Sequence, residues 1–380
     1  MIDVNEIELE FPIVKEMVYL DIAFGNPLPN CVREAITSFL LDVQKRGIMK
    51  REYLEKGEEI RKKFASLVNA QPSEIAFVKN TSEGLNITAN GIKFKPGDNV
   101  IINELEHGSN VYPWIHLRKK KVDVKIVPQR NGIIKIDDIA SKINSRTKAI
   151  SISSIQFQGY KVDLKKLSKI CRENSVYLVV DAIQSLGNEP MDVKKEGVDM
   201  MSAQSHKGLL GPHGIGFFYC SNDIIDDINP TFVSTTSYQR GDPLSRPNIL
   251  NSEIKKTAKK FEYGCLNYIG YYAMEAALNF LDKVGVENIA SNTHKLAEHF
   301  RDGLKSMGAN LLDSCLINER SHIVMFTLPG KSIKEVTKLL DENKIRVSGR
   351  YPGIRASFGL YNSINDVEKT LEILGQIQNK

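Results

Sequence analysis

Between residues 70 and 220 the chain alternates short apolar β-type runs with helical patterns. The runs are Ile75–Val78, Val100–Asn103, Val122–Val127, Ala149–Ser153, Val176–Val180 and Ile215–Tyr219. Several are continuous in Val and Ile rather than alternating with polar residues, which marks strands buried on both faces. Between them lie stretches such as Leu164–Asn174, whose Leu and Ile positions repeat at helical spacing. Strand–helix alternation of this kind builds a doubly wound, mainly parallel α/β sheet. The ligand of such a sheet sits beyond the C-terminal ends of its strands.

The rest of the chain has a different character. Ser221–Ser252 is rich in Pro, Asn, Asp, Ser and Thr and reads as loop. Helical patterns follow at Tyr268–Lys283 and Ile289–Met307, then short strands at His322–Leu328, Lys344–Val347 and Ile354–Ser357, and a last helix at Asn365–Ile377. The expected division is a large α/β domain over residues 16–250 and a smaller α+β domain from 1–15 and 251–380. With 380 residues the chain can bury two such cores without a disulfide or metal staple. A net charge of +5 is no nucleic-acid signature, and Arg118–Lys121 reads as a solvated helix end. Five cysteines, widely spaced and without a CxxC pair, argue against a disulfide framework or zinc site and for a reducing compartment. With no secretory-type N-terminus and no long apolar run, the expectation is a soluble cytoplasmic protein without a metal.

Four blocks carry chemistry. In Ser205-His206-Lys207-Gly208, followed by Gly211-Pro212-His213-Gly214, a lysine stands between a hydroxyl residue and glycines. Burial or a cationic neighbour lowers a lysine pKa from about 10.4 and frees the amine to form a Schiff base. Val176–Asp181 is a buried-strand pattern ending on a carboxylate, with Gln184 three residues on. A carboxylate there can keep a cofactor pyridine nitrogen protonated, and an amide beside it can bond a ring oxygen. Ile75–Val78 runs into Thr81-Ser82, two hydroxyls at a helix start, which suits a phosphate as well as a plain helix cap. His107, after the strand Val100–Asn103, can stack on a flat ring.

These blocks together resemble the class V aminotransferase family of fold type I pyridoxal-phosphate enzymes, which includes cysteine desulfurases and isopenicillin N epimerases. The likeness runs from Tyr19-Leu20-Asp21 to Tyr361-Asn362-Ser363. It implies pyridoxal 5′-phosphate bound to Lys207, with Asp181 on the pyridine nitrogen, Gln184 on the ring oxygen and His107 stacked. It assigns the phosphate to Thr81, Ser82, Ser205 and His206, sets Gln156 beside the cofactor, and makes Arg355 in Ile354-Arg355-Ala356-Ser357 the anchor of a substrate carboxylate. It also implies a homodimer with shared active sites, acting on a small-molecule amino acid substrate.

Two departures bear on the activity. Where the family has Gly-Thr reaching the partner subunit's phosphate, this chain has Gly264-Cys265. Cysteine desulfurases carry a nucleophilic cysteine shortly before the carboxylate arginine, but the loop Val347–Gly353 has none, and Cys315 reads as packing. The resemblance therefore implies an aminotransferase or epimerase-like enzyme, with a desulfurase-like or other β-eliminating lyase that dispenses with the loop cysteine as the alternative. A nucleotide-binding α/β protein lacks support, since no G-x-x-x-x-G-K-[ST] loop is present and no G-x-G-x-x-G opens a helix after the first strand.

Overall fold

The computed structural model of the chain describes residues 4–130, 132–239, 252–313 and 316–378. The strands are β1 (Val18–Tyr19), β2 (Ile75–Val78), β3 (Asn99–Asn103), β4 (Asp123–Val127), β5 (Thr147–Ser153), β6 (Tyr177–Asp181), β7 (Met200–Gln204), β8 (Gly216–Cys220), β9 (Asn310–Leu311), β10 (Ile323–Thr327), β11 (Ile345–Arg346), β12 (Ser348–Arg350) and β13 (Gly353–Ser357). Seven form one sheet in the order β2-β8-β7-β6-β5-β3-β4. β8 pairs antiparallel with both neighbours, and all the other pairs are parallel. The chain is thus an α/β protein with a mainly parallel large sheet, as expected.

Side chains alternate across the sheet and meet apolar cover on both sides. Leu178 and Val180 of β6 join one core cluster with Phe64 and Phe217, whose rings stack 3.7 Å apart. Val179 joins a second cluster with Trp114 and Phe218. β7 is not among the expected strands: Met-Met-Ser-Ala-Gln has no β-branched or aromatic residue, so its strand state comes from pairing between β6 and β8 rather than from local preference.

The second unit is a four-stranded antiparallel sheet, β12-β13-β10-β9, beside a parallel pair of β1 with β11. Its core joins Val18 and Leu20 to Phe300, Phe326, Phe358 and Leu374. The packing departs from the expected boundaries. Helix Tyr268–Val284 inserts Tyr271, Met274 and Ala277 into the core of the large sheet, as do Ile7 and Phe11 from the N-terminus. Val18 and Leu20 instead pair with and pack on the small sheet. Contiguous sequence does not reveal this, because the segment from Val18 to Ala23 passes between the two cores. Residues 240–251 of the stretch read as loop, and also Cys315, lie outside the described residues.

Gly84 shows how tightly the helix Thr81–Gly91 seats on the sheet. A Cβ there would collide with the Ser202 hydroxyl and lie 2.7 Å from the Ser202 Cβ on β7. Gly84→Ala is expected to cost about 1–3 kcal/mol of stability, read as a lowered denaturant midpoint. It also shifts Thr81 and Ser82, so weaker pyridoxal-phosphate binding accompanies the loss. A variant with unchanged midpoint would mean that the helix does not pack as described.

Candidate active site

The C-terminal ends of the parallel strands lie at one edge of the sheet. β2 leads to Thr81 and Ser82, β3 to Glu106 and His107, β6 ends on Asp181, and β7 ends on Gln204 with His206 and Lys207 just beyond. These residues line one cleft of about 640 Å³, which Gln184, Arg350 and Arg355 also line. Two other grooves are larger, about 730 and 700 Å³, but neither contains Lys207 or Asp181. The chemistry, not the size, marks the cleft.

Lys207 sits just beyond the end of β7, held by a turn in which the Leu210 N–H donates to the Lys207 carbonyl at 2.9 Å. Gly208 packs on the Leu186–Asn188 turn so closely that a Cβ would lie 2.7 Å from the Asn188 side chain. Burial pushes the Lys207 ammonium well below the ordinary lysine value, and the positive charge of Arg355 pushes it further, against the pull of Asp181. The result favours a free amine, the form that attacks an aldehyde.

Asp181 is buried, with Oδ1 accepting the Ile183 N–H at 3.0 Å. Burial raises its carboxyl pKa, and the charge of Glu106 adds to the rise. A carboxylate in that state gains from a cation set against it, such as a protonated ring nitrogen. Burial, then the Lys207 charge, lowers the pKa of His107, whose Nδ1 accepts from the Ser109 N–H at 3.2 Å. His206 is pushed down to about 3, by burial first, and stacks on His213 with centroids 4.2 Å apart. It is a neutral ring at physiological pH, and its Nδ1 has no partner.

Arg355 on β13 is 3% exposed. Its Nη2 lies 3.5 Å from Asp21 Oδ1, and its Nε and Nη2 form no hydrogen bond. Burial lowers even this guanidinium, to about 10. Asp21 in turn accepts from the Ser348 hydroxyl at 2.8 Å.

Four expected site residues stand outside the cleft lining. Ser205 is fully buried and donates to the Pro212 carbonyl at 2.6 Å, outside the cleft lining. The alternation continues past β7, so Gln204 and His206 face the cleft and Ser205 faces away. Gln156 is fully buried behind the wall, its amide donating to Glu106 Oε1 at 2.8 Å. Gly264 and Cys265 are exposed and do not line this cleft.

Glu106 does not stand out in the sequence, yet it belongs to the site. It lines the cleft and accepts from Asn103 at 2.6 Å, the Ser153 N–H at 2.8 Å, the Ser153 hydroxyl at 2.6 Å and Asn110 at 2.8 Å, besides Gln156. These bonds fix the loop that carries His107. Nothing local in Glu104-Leu105-Glu106 distinguishes the inward acid from the outward one; the polar residues at 103, 110, 153 and 156 are the distributed signal.

The lining fits pyridoxal phosphate. Gln184 donates to the Ala23 carbonyl at 3.1 Å while its Oε1 is buried without a partner. The second N–H of that amide is available for a ring oxygen. Together with Nδ1 of His206 and the guanidinium of Arg355, the cleft holds polar atoms that need a ligand. Hydroxyls at a helix start, a buried acid and an arginine in one lining match the phosphate, a protonated ring and a substrate carboxylate in chemistry.

A buried lysine facing a strand-end aspartate, within a mainly parallel sheet capped by a small α+β unit, defines a pyridoxal-phosphate enzyme of fold type I. The family model for class-V aminotransferases matches residues 18–370, and the chain belongs to that family. A probable cysteine desulfurase of Methanothermobacter thermautotrophicus is 29% identical across 98% of each chain. An uncharacterized aminotransferase of Schizosaccharomyces pombe is 28% identical over 95% of this chain and 92% of its own length. Among solved structures, an apo cysteine desulfurase from Thermococcus onnurineus superposes with TM-score 0.90 at 26% identity, covering 100% of this chain and 99% of that one.

The corrected phosphate end makes a paired prediction. Ser82→Ala removes a hydroxyl that lines the cleft, its Oγ now 2.9 Å from Ser109 Oγ. It is expected to weaken cofactor binding about 10-fold, the worth of one hydrogen bond to a charged group. Ser205→Ala is expected to cost about 1 kcal/mol of stability and leave cofactor affinity within about 2-fold. Apo-protein titration with pyridoxal phosphate separates them, and equal losses would return Ser205 to the phosphate.

Proposed function

We propose that the chain acts on an α-amino acid by amino transfer or epimerisation at Cα, with bound pyridoxal phosphate. One observation supports this above all: Lys207, Asp181 and Arg355 share one cleft. When bound, the cofactor supplies an electron sink that makes the Cα–H bond acidic. Arg355 offers its free N–H groups to the substrate carboxylate, which fixes which Cα bond faces Lys207. The Lys207 amine, low in pKa, takes the Cα proton as general base and returns it. Asp181 holds positive charge at the ring nitrogen. Thr81, Ser82, Gln204 and His206 would hold the phosphate, and His107 would lie against the ring.

A carbon–sulfur lyase is the second reading, favoured by the names of the relatives. Among the described residues, Cys31, Cys171, Cys220 and Cys265 do not line the cleft. The residues Val347–Gly353 contain no cysteine. Such a lyase would therefore draw no thiolate from the described cysteines of this chain. Incubation with a panel of amino acids, with and without a keto acid, separates the readings. Amino exchange that requires the keto acid, or racemisation at Cα, supports the first. Pyruvate and sulfide released from cysteine without an acceptor would overturn it in favour of the second.

We also infer a cytoplasmic homodimer, in which the Gly264-Cys265 segment, exposed in the single chain, would meet the partner's phosphate. Among the described residues no helix is long and apolar enough to cross a membrane. Sedimentation of the purified protein tests the dimer.

A further inference from the structure

Arg350 and Arg355 belong to the same face of one hairpin. In the antiparallel pair of β12 with β13, Ser348 stands opposite Arg355 and Arg350 opposite Gly353. Directly opposed residues share a face, and so do residues two apart on one strand. Ser348, Arg350 and Arg355 therefore project together, with the two arginines on diagonal positions roughly 7 Å apart. That face looks into the active cleft. Ser348 bonds Asp21, Arg355 lies 3.5 Å from the same carboxylate, and both arginines line the cavity around Lys207.

The two arginines differ in depth. Arg355 is 3% exposed, at the floor, whereas Arg350 is exposed at the mouth with Phe24 and Tyr351. Its guanidinium lies over the Phe24 ring, 5.8 Å from the centroid. An arginine stacked on a ring keeps its edge N–H groups free for an oxyanion. Arg350 makes no ion pair among the described residues, and its charge bears on Asp21, His107, Lys207 and Arg355. Arg350 and Arg355 thus bring two guanidinium groups to this part of the cleft, against the carboxylate of Asp21, while Lys207 stands nearer Asp181 as an amine. A substrate α-carboxylate satisfies Arg355 and leaves Arg350 over. Like charges on neighbouring positions of one sheet face disfavour each other unless an anion lies with them.

We propose that Arg350 binds a second acidic group at the end of the substrate side chain, so that the enzyme prefers amino acids bearing a side-chain carboxylate or sulfinate. The inference rests on the reading of Arg355 as the α-carboxylate anchor. The α-carboxylate lies deep, Cα stands at Lys207, and the side chain extends toward the mouth, where Arg350 waits.

The test compares kcat/KM of the holoenzyme for aspartate, glutamate and cysteine sulfinate with that for alanine and cysteine, in the native chain, Arg350→Gln and Arg350→Lys. The native enzyme is expected to favour acidic substrates by about 10-fold or more. In Arg350→Gln the acidic-to-neutral ratio should fall by about the same factor, chiefly through KM, with part restored in Arg350→Lys. Calorimetry with maleate and acetate gives a second readout, in which Arg350→Gln weakens the dicarboxylate more than the monocarboxylate. A neutral preference in the native enzyme, or a ratio that Arg350→Gln leaves unchanged, would overturn the proposal. An Arg355→Gln variant tells the two levels apart. If it weakens neither acetate nor neutral substrates, the anchor reading itself fails; if it weakens both while Arg350→Gln changes no ratio, only the side-chain assignment falls.

Discussion

Replacing Lys207 with alanine is expected to lower turnover by about 10³-fold or more while leaving the fold intact. The side chain carries two tasks, covalent attachment of the cofactor and transport of the Cα proton, and alanine performs neither. Folding should survive, because the removed group is a buried amine whose burial itself disfavours its charged form. The turn around it is held by backbone bonds, including Leu210 N–H to the Lys207 carbonyl and Gly211 N–H to the Ser205 carbonyl. Far-UV circular dichroism and a denaturant midpoint near that of the native chain establish folding, and single-turnover kinetics with saturating cofactor measure the loss. Turnover within about 10-fold of native would remove Lys207 from the reaction.

Asp181→Asn is the second large effect. The substitution conserves shape and the bond from the Ile183 N–H, but it removes the negative charge that faces the ring nitrogen. Removing one partner of a buried ion pair costs about 3–5 kcal/mol, which corresponds to about 10²–10³-fold in rate when the lost contact is made at the transition state. Burial and Glu106 hold the Asp181 carboxyl above its ordinary value, at about 7, and a cation set against it would draw that value down. Cofactor affinity of the apo-protein should therefore fall as the pH drops through about 7 and Asp181 takes up a proton. Stopped-flow measurement of Cα-deuterium exchange reports the rate loss directly. Native-like exchange in Asp181→Asn would show that the ring nitrogen needs no carboxylate here.

Much of the fold and of the cleft is legible in the sequence. Continuous Val/Ile runs reveal six of the seven strands of the large sheet, since buried parallel strands carry their burial in their composition. The seventh, Met200–Gln204, hides because its conformation comes from its neighbours. The same omission hides that Ser205 lies outside the cleft lining. Without β7 nothing phases the alternation, and phase decides that Gln204 and His206 face the ligand. Lys207, Asp181, Thr81, Ser82, His107 and Gln184 are readable because each stands at a strand end or helix start that the pattern marks. Glu106 and Arg350 are not, for they act through partners distant in sequence: Ser153 and Gln156 for the first, and the β12–β13 register for the second. The packing of helix Tyr268–Val284 on the large sheet is hidden for a similar reason, because Tyr271 packs on Phe77 with ring centroids 4.5 Å apart and Met274 joins the same core, whatever their order along the chain.

The central claim is that the amine at position 207 holds the cofactor. Borohydride reduction of the holoenzyme, followed by proteolysis and mass spectrometry, measures it with least interpretation. A single pyridoxyl-phosphate mass on the lysine of the Ser205-His206-Lys207 peptide is the predicted result. The label on another lysine, or a protein that takes up no cofactor and no label, would contradict the account.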